Sequence, residues 1–287
     1  MDTTITSLAL TSDRIFFLTT SGSPLSTYNA LRVFKKASAA PEVAFDAPTD
    51  SGMRLATDGS DVAFATYRPP TYAGTDEIWS CPAGVCANKI LLANEKADLH
   101  LAVMAGDVYW IDAATRTLRK CATTGCAAAP TTVGPIAGPA FFVGASDASG
   151  LYVAATTGAI DRISLVDSAR ETLAHQPGVR TMTIDNEHIY WTTAFGLFGC
   201  KKIACVPALI AQRPNAAWLV GANGSLLWVE GKSVFRCTAE GCSAPTVVYG
   251  AHDPTIAIGP IALDAAFLYF AGVESNRAGS ALRRVDR

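Results

Sequence analysis

The chain has 287 residues, with 25 acidic and 23 basic side chains and a net charge of −2, so it lacks the basic excess that nucleic-acid binding requires. Hydrophobic residues make up 49% and charged residues 17%, which excludes a disordered chain. No apolar run approaches the roughly 18 residues of a transmembrane helix, and the start, Met1-Asp2-Thr3-Thr4, has neither region of a signal peptide, so any leader is expected to lie outside this chain.

Taken in chain order, one strand pattern recurs, an aliphatic residue followed two positions on by a large, usually aromatic one. It reads Ile15-Phe16-Phe17, Val62-Ala63-Phe64, Val108-Tyr109-Trp110, Leu151-Tyr152-Val153, Ile189-Tyr190-Trp191, Leu226-Leu227-Trp228 and Leu268-Tyr269-Phe270. Each copy follows an apolar strand and a turn, as in Leu8-Ala9-Leu10 before Thr11-Ser12-Asp13 and Met182-Thr183-Ile184 before Asp185-Asn186-Glu187. Asp, Asn and Gly suit such hairpins because they tolerate positive φ. A third strand follows, such as Leu118-Arg119-Lys120 or Val234-Phe235-Arg236, then a β-branched fourth, such as Pro245-Thr246-Val247-Val248. Four hairpin-linked strands form one propeller blade, and seven copies at a blade-length period predict an all-β, seven-bladed β-propeller of four-stranded antiparallel blades spanning residues 1–287 as one domain. The seventh copy ends after its third strand near Leu282. Thr3-Thr4-Ile5-Thr6 is therefore expected to supply its fourth, closing the last blade from both termini and removing open sheet edges.

The eight cysteines fall into four pairs of one spacing, Cys81/Cys86, Cys121/Cys126, Cys200/Cys205 and Cys237/Cys242, each placed between a third and a fourth strand. A pair five residues apart across a hairpin is within bridging reach, so four local disulfides are expected. Zinc would need four ligands converging, and each hairpin offers two. Disulfides persist in oxidising compartments, so the chain is expected to be extracytoplasmic: periplasmic, on the cell surface or secreted.

Connections between second and third strands differ in length. Those at 17–31, 64–78 and 270–282 are long, and those at 110–118, 153–160, 191–197 and 228–234 are short. The long ones belong to blades one, two and seven, neighbours if the ring closes. They carry Tyr28 and Asn29; Tyr67, Arg68 and Tyr72; and Glu274, Asn276 and Arg277. Aromatic and Arg side chains anchor recognition surfaces, so these eight residues are the candidate ligand-binding set for a protein, peptide or glycan. Asn223-Gly224-Ser225 fits a glycosylation acceptor but is read as a hairpin turn.

Catalytic signals are thin. His100, His175 and His252 are expected on the long-loop face and His188 on the other. No nucleophile elbow, phosphate-binding glycine loop or zinc-protease helix is present. The expectation is a monomeric, non-enzymatic binding or scaffold module with no catalytic residue, metal or cofactor; the alternative is a propeller hydrolase or lyase with a metal at the central channel.

The strands Val108-Tyr109-Trp110-Ile111-Asp112 and Ile189-Tyr190-Trp191-Thr192-Thr193 resemble the YWTD class of propeller repeat. Lys120-Cys121-Ala122-Thr123-Thr124-Gly125-Cys126 and Arg236-Cys237-Thr238-Ala239-Glu240-Gly241-Cys242 resemble the paired-cysteine repeats of bacterial secreted propellers and lipoproteins. That resemblance implies an extracellular propeller that binds other proteins. YWTD propellers are typically six-bladed, and only two repeats here keep the Tyr-Trp pair.

Overall fold

A computed structural model describes residues 3–23, 26–36, 42–46, 52–67, 76–95, 97–136, 141–155, 157–222, 224–238, 241–251, 256–274 and 280–286. The chain forms seven antiparallel sheets, each made of consecutive strands. The first holds β1 (Thr3–Leu10), β2 (Arg14–Ser23), β3 (Ser26–Lys35) and β4 (Glu42–Asp46). The second holds β5 (Gly52–Thr57), β6 (Val62–Tyr67), β7 (Asp76–Cys81) and β8 (Ile90–Glu95). The third holds β9 (Ala97–Met104), β10 (Asp107–Asp112), β11 (Thr117–Ala122) and β12 (Thr131–Pro135). The fourth holds β13 (Phe141–Asp147), β14 (Gly150–Ala155), β15 (Ala159–Ile163) and β16 (Arg170–His175). The fifth holds β17 (Thr181–Ile184), β18 (His188–Thr192), β19 (Leu197–Lys201) and β20 (Ala208–Ala211). The sixth holds β21 (Ala217–Ala222), β22 (Ser225–Glu230), β23 (Ser233–Thr238) and β24 (Gly241–Gly250), and the seventh β25 (Ile256–Leu263), β26 (Phe267–Glu274) and β27 (Ser280–Asp286). This is a seven-bladed β-propeller.

Contacts group the chain into two compact units. In the first (1–137 with 147–149 and 164–169), β5 packs on β1 and on β9. In the second (138–146, 150–163 and 170–287), β21 packs on β17 and on β25. First strands thus stack on first strands.

One register explains the repeat. The large residue ending each motif lies opposite a fixed position of the third strand: Phe17 faces Arg32, Phe64 faces Trp79, Trp110 faces Arg119 and Val153 faces Asp161. Likewise Trp191 faces Phe198, Trp228 faces Phe235 and Phe270 faces Arg283. Trp191 and Phe198 stack at 6.3 Å, and Trp228 and Phe235 at 5.7 Å. Cross-strand aromatic pairs of this kind stabilise a sheet beyond simple burial. Trp110, Trp191 and Trp228 are fully buried.

The first residue of the motif sets the cysteines. Val62, Val108, Ile189 and Leu226 face Cys81, Cys121, Cys200 and Cys237. In the other three sheets Ile15, Leu151 and Leu268 face Phe34, Ile163 and Val285. The first cysteine of each pair is therefore a core residue of the third strand, not a loop residue beyond it, and Cys242 lies within β24. All four bridges form, Cys81–Cys86, Cys121–Cys126, Cys200–Cys205 and Cys237–Cys242, with Cα separations of 4.6, 5.5, 5.1 and 5.4 Å.

Cys86 lies between the third and fourth strands of its sheet, as the spacing predicts, but in a structured turn. It opens a short 3₁₀ turn, Cys86–Asn88, which follows another at Pro82–Gly84. The physical reason is Pro82. Its fixed φ suits the first position of a tight helical turn, so the chain leaves β7 by coiling instead of reversing directly into β8. Val85 N–H then donates to the Pro82 carbonyl at 3.0 Å, and Lys89 N–H to the Cys86 carbonyl at 3.3 Å. That path turns the Cys86 side chain inward. It is buried, in the core cluster that also holds Phe16, Leu31 and Val62, and it keeps its bridge to Cys81.

Among the described residues, each of the six fourth strands carries a register shift against its third strand at the same place, between Leu31/Arg32, Ile78/Trp79, Leu118/Arg119, Ile160/Asp161, Leu197/Phe198 and Val234/Phe235. A bulge there adds twist to the outermost strand and spoils it as a pairing template.

The expected closure of the last blade is corrected. Thr3, Thr4 and Ile5 pair with Ser21, Thr20 and Thr19, and among the described residues the seventh sheet has three strands. The physical reason is the length of β2. Its ten residues run well past the core motif and offer a ladder to the start of β1.

Candidate functional site

The turns between first and second strands hold the polar residues that repeat. Asp185 Oδ1 accepts the N–H of Glu187 (2.9 Å) and of His188 (2.7 Å), while Oδ2 accepts the Tyr190 hydroxyl at 2.8 Å. Asp264 does the same with Ala266 (3.0 Å), Phe267 (2.8 Å) and the Tyr269 hydroxyl (2.9 Å). Burial opposes the charge on Asp185. The Glu187 N–H, the Tyr190 hydroxyl and the His188 N–H outweigh it and hold the carboxyl below the usual carboxylate value. Burial and the adjoining carboxylate push both phenols up, Tyr269 to about 12 and Tyr190 further. Asp58 caps the equivalent turn of the second sheet through Ser60 and Asp61. Strong shifts often mark catalysis. Here they recur with the repeat and belong to turn locks, built on a spacing of Asp and Tyr that the strand motif alone does not show.

The candidate binding residues divide. Tyr28 and Asn29 are strand residues, paired with Ser21 and Thr20, so the first long loop is instead a ribbon of β2 and β3 paired through all ten positions, from Arg14↔Lys35 to Ser23↔Ser26. Small polar residues of both strands continue the ladder beyond the point where β4 ends its pairing at Ala30. Tyr67 ends β6 opposite Gly52, and Glu274 ends β26 opposite Ile256. Arg68, Tyr72, Asn276 and Arg277 lie outside the described residues, as does His252. His100 is in β9, His175 ends β16 in an exposed position, and His188 opens β18 beside Tyr190, ring centroids 5.8 Å apart. Among the described residues, no three His, Cys, Asp or Glu side chains gather as a metal-ligand set. Ala222 pairs with Ser225 across a turn in which Gly224 has φ +70°, the conformation an Asn-Gly hairpin uses.

At the opposite end of β2 and β3 from the ribbon tip is a cavity of about 240 Å³, lined by Arg14, Val33, Lys35, Gly84, Cys86 and Lys89 among others. Arg14 donates to the Gly84 carbonyl and pairs with Asp13 at 3.4 Å; Lys89 lies 5.7 Å from the Phe45 ring and 5.9 Å from the Trp79 ring. Arg14 thus ties β2 to the second sheet's disulfide loop, and Lys89 lies against the aromatic pair Phe45 and Trp79.

No family model and no curated protein matches the chain. Solved structures do. YCF48 from Cyanidioschyzon merolae superimposes with a TM-score of 0.65 at 9% identity, covering 98% of this chain and 95% of that one. BamB from Moraxella catarrhalis gives 0.54 at 12% identity over 98% and 94%. The computationally designed Ika8 protein gives 0.62 at 9% identity over 99% and 97%. At these identities the likeness is one of fold.

Proposed function

We propose that this propeller is an extracytoplasmic binding module that engages a protein, peptide or glycan through the end carrying the β2–β3 ribbon. One observation carries the reading: the ribbon breaks the repeat. The corresponding hairpin of the fifth sheet pairs over five positions, from His188↔Lys201 to Thr192↔Leu197, and that of the first over ten. Polar residues that obey the repeat serve turns; an element that departs from it on a rigid scaffold is where recognition is usually built. Tyr28, Asn29 and Tyr67 are the residues assigned to the surface, on the first two sheets. The chain acts as a monomer in this reading. Four disulfides support an oxidising compartment, and among the described residues no helix is long and apolar enough to cross a membrane.

The test is a shortened ribbon in which residues 22–27 are replaced by Asn-Gly. Native and shortened proteins are compared on peptide and glycan arrays, with thermal melting as the control for folding. Ligands held by the native protein and lost by the folded, shortened one support the reading. Identical binding profiles sink it.

A further inference from the structure

We propose that the disulfide loop of the fifth sheet is a docking point for a phospholipid bilayer surface. This inference is independent of the ribbon reading. The four bridged loops share one cysteine spacing, so their contents can be compared position by position. After the first cysteine, the second sheet reads Pro82-Ala83-Gly84-Val85, the third Ala122-Thr123-Thr124-Gly125 and the sixth Thr238-Ala239-Glu240-Gly241. The fifth reads Lys201-Lys202-Ile203-Ala204. After the second cysteine come Ala87, Ala127 and Ser243, against Val206 in the fifth. The fold thus accepts small or polar residues at both places, and only the fifth sheet puts branched aliphatics there.

Those aliphatics are held in water. Ile203 is 86% exposed, Val206 77% and Leu209, at the start of the adjoining β20, 48%. The loop cannot readily fold them away. The Cys200–Cys205 bridge closes it, and the Lys202 N–H donates to the Glu187 carbonyl at 2.8 Å. A pre-ordered apolar tip loses little freedom on docking. Lys202 Nζ sits 5.3 Å from the Tyr152 ring and 3.4 Å from the Asn186 carbonyl. Lys201 is exposed. The acidic groups on the adjoining turn are Asp185, whose carboxylate is occupied by the turn and by Tyr190, and the exposed Glu187. Lys201 and Lys202 lead directly into the apolar tip, so headgroup charge and acyl chain would be met by consecutive residues.

Two features favour a bilayer over a second copy of the chain. Three side chains cannot supply the about 1,200–2,000 Å² that a stable dimer buries. Side chains standing this far out of their surroundings need a deformable medium, which the interfacial region of lipid provides without a matching pocket. Surface binding of this kind grows with the apolar area inserted and with electrostatic attraction to anionic lipid, and this loop offers both.

The experiment is co-sedimentation of the oxidised full chain with vesicles of phosphatidylcholine and phosphatidylglycerol in equal parts, and of phosphatidylcholine alone. The native protein is expected to bind the mixed vesicles more tightly. Ile203→Ser with Val206→Ser should weaken that binding by at least about tenfold, and Lys201→Gln by about fivefold, an effect that added salt erases. All three positions are exposed, so melting temperature should not move. Equal partitioning of native and double-serine proteins, or no binding by either, overturns the proposal. So does sedimentation velocity showing a dimer that the double-serine variant abolishes, because the occupant would then be a second copy.

Discussion

The fourth and fifth sheets share one register and solve the same packing problem with different chemistry. In the fifth, Trp191 stacks on Phe198, and Cys200, opposite Ile189, is bridged to Cys205. In the fourth, Val153 stands where the tryptophan is, Asp161 where Phe198 is, and Ile163 where Cys200 is. Asp161 is fully buried, accepting from Arg170 Nη2 at 2.6 Å and from Thr172 Oγ1 at 2.7 Å. One sheet therefore fills the site with aromatic area and a covalent clip, the other with an ion pair and an aliphatic residue. The register is what every copy of the repeat keeps, and the chemistry at each register position is interchangeable provided the site is filled and its polar atoms are satisfied.

The sharpest way to break that comparison is Asp161→Ala. It removes the buried carboxylate to which Arg170 and Thr172 donate, and losing one partner of a buried pair costs about 3–5 kcal/mol. Replacing both charges, as Asp161→Leu with Arg170→Leu, is expected to recover much of that loss by making the fourth sheet resemble the fifth. Urea denaturation of the two variants decides it. If the double variant is no more stable than the single one, the two chemistries are not interchangeable and the ion pair has a role beyond filling its register position.

A smaller effect is expected from the other side. Cys200→Ala with Cys205→Ala removes a bridge that closes only a short loop, worth about 2 kcal/mol in the chain-entropy model. Cys200→Val with Cys205→Ala puts an aliphatic residue where the fourth sheet has Ile163, and should be the more stable of the two. Denaturation midpoints that rank them the other way would show that the sulfur is not acting as a core side chain.

The blade count, the strand order and the four bridges were legible because each rests on local spacing repeated through the chain. The ladder end of the first sheet was not. Thr3-Thr4-Ile5-Thr6 reads equally well as an outer strand of one sheet or the start of an inner strand of another, since β-propensity does not name a partner. Residues 17–31 looked like a loop because Thr, Ser, Asn and Gly suit turns, yet the same small polar residues continue a ribbon once a neighbouring strand supplies hydrogen bonds. The inward turn of Cys86 was hidden by the spacing it shares with the other three pairs, although Pro82 alone follows a first cysteine and marks where that loop departs. The outer bulges leave no compositional mark, since the residues around them are ordinary aliphatics such as Leu92, Ile210 and Val248. The turn locks did leave one. Asp185 and Tyr190, Asp264 and Tyr269, and Asp147 and Tyr152 are all five residues apart, whereas Tyr109 of the third sheet has Met104 at that distance and reaches Asp107 instead, at 3.4 Å.

Those locks give the smallest effect and extend the comparison to the seventh sheet. Tyr190→Phe and Tyr269→Phe each delete one hydrogen bond to a turn carboxylate and should cost about 1 kcal/mol at neutral pH. The pH dependence separates this from lost packing. Both phenols titrate above their ordinary value of 10.0 in the folded chain, so between that value and the raised one the folded state keeps a proton that the unfolded state has released. Their contribution is complete below pH 10 and is lost as pH rises above it, for Tyr269 up to about 12. The carboxylate side has the opposite sign. Asp185 is held below its ordinary value of 3.8, so its contribution is present above that pH and disappears as the solution is acidified past it. The double Tyr→Phe variant should therefore show a shallower loss of stability than the native protein on going from about pH 9 to pH 11, and a smaller acid penalty because one donor to Asp185 is gone. Parallel stability curves for the two proteins at both ends of the pH range would mean that the hydroxyls pack against the turns without locking them.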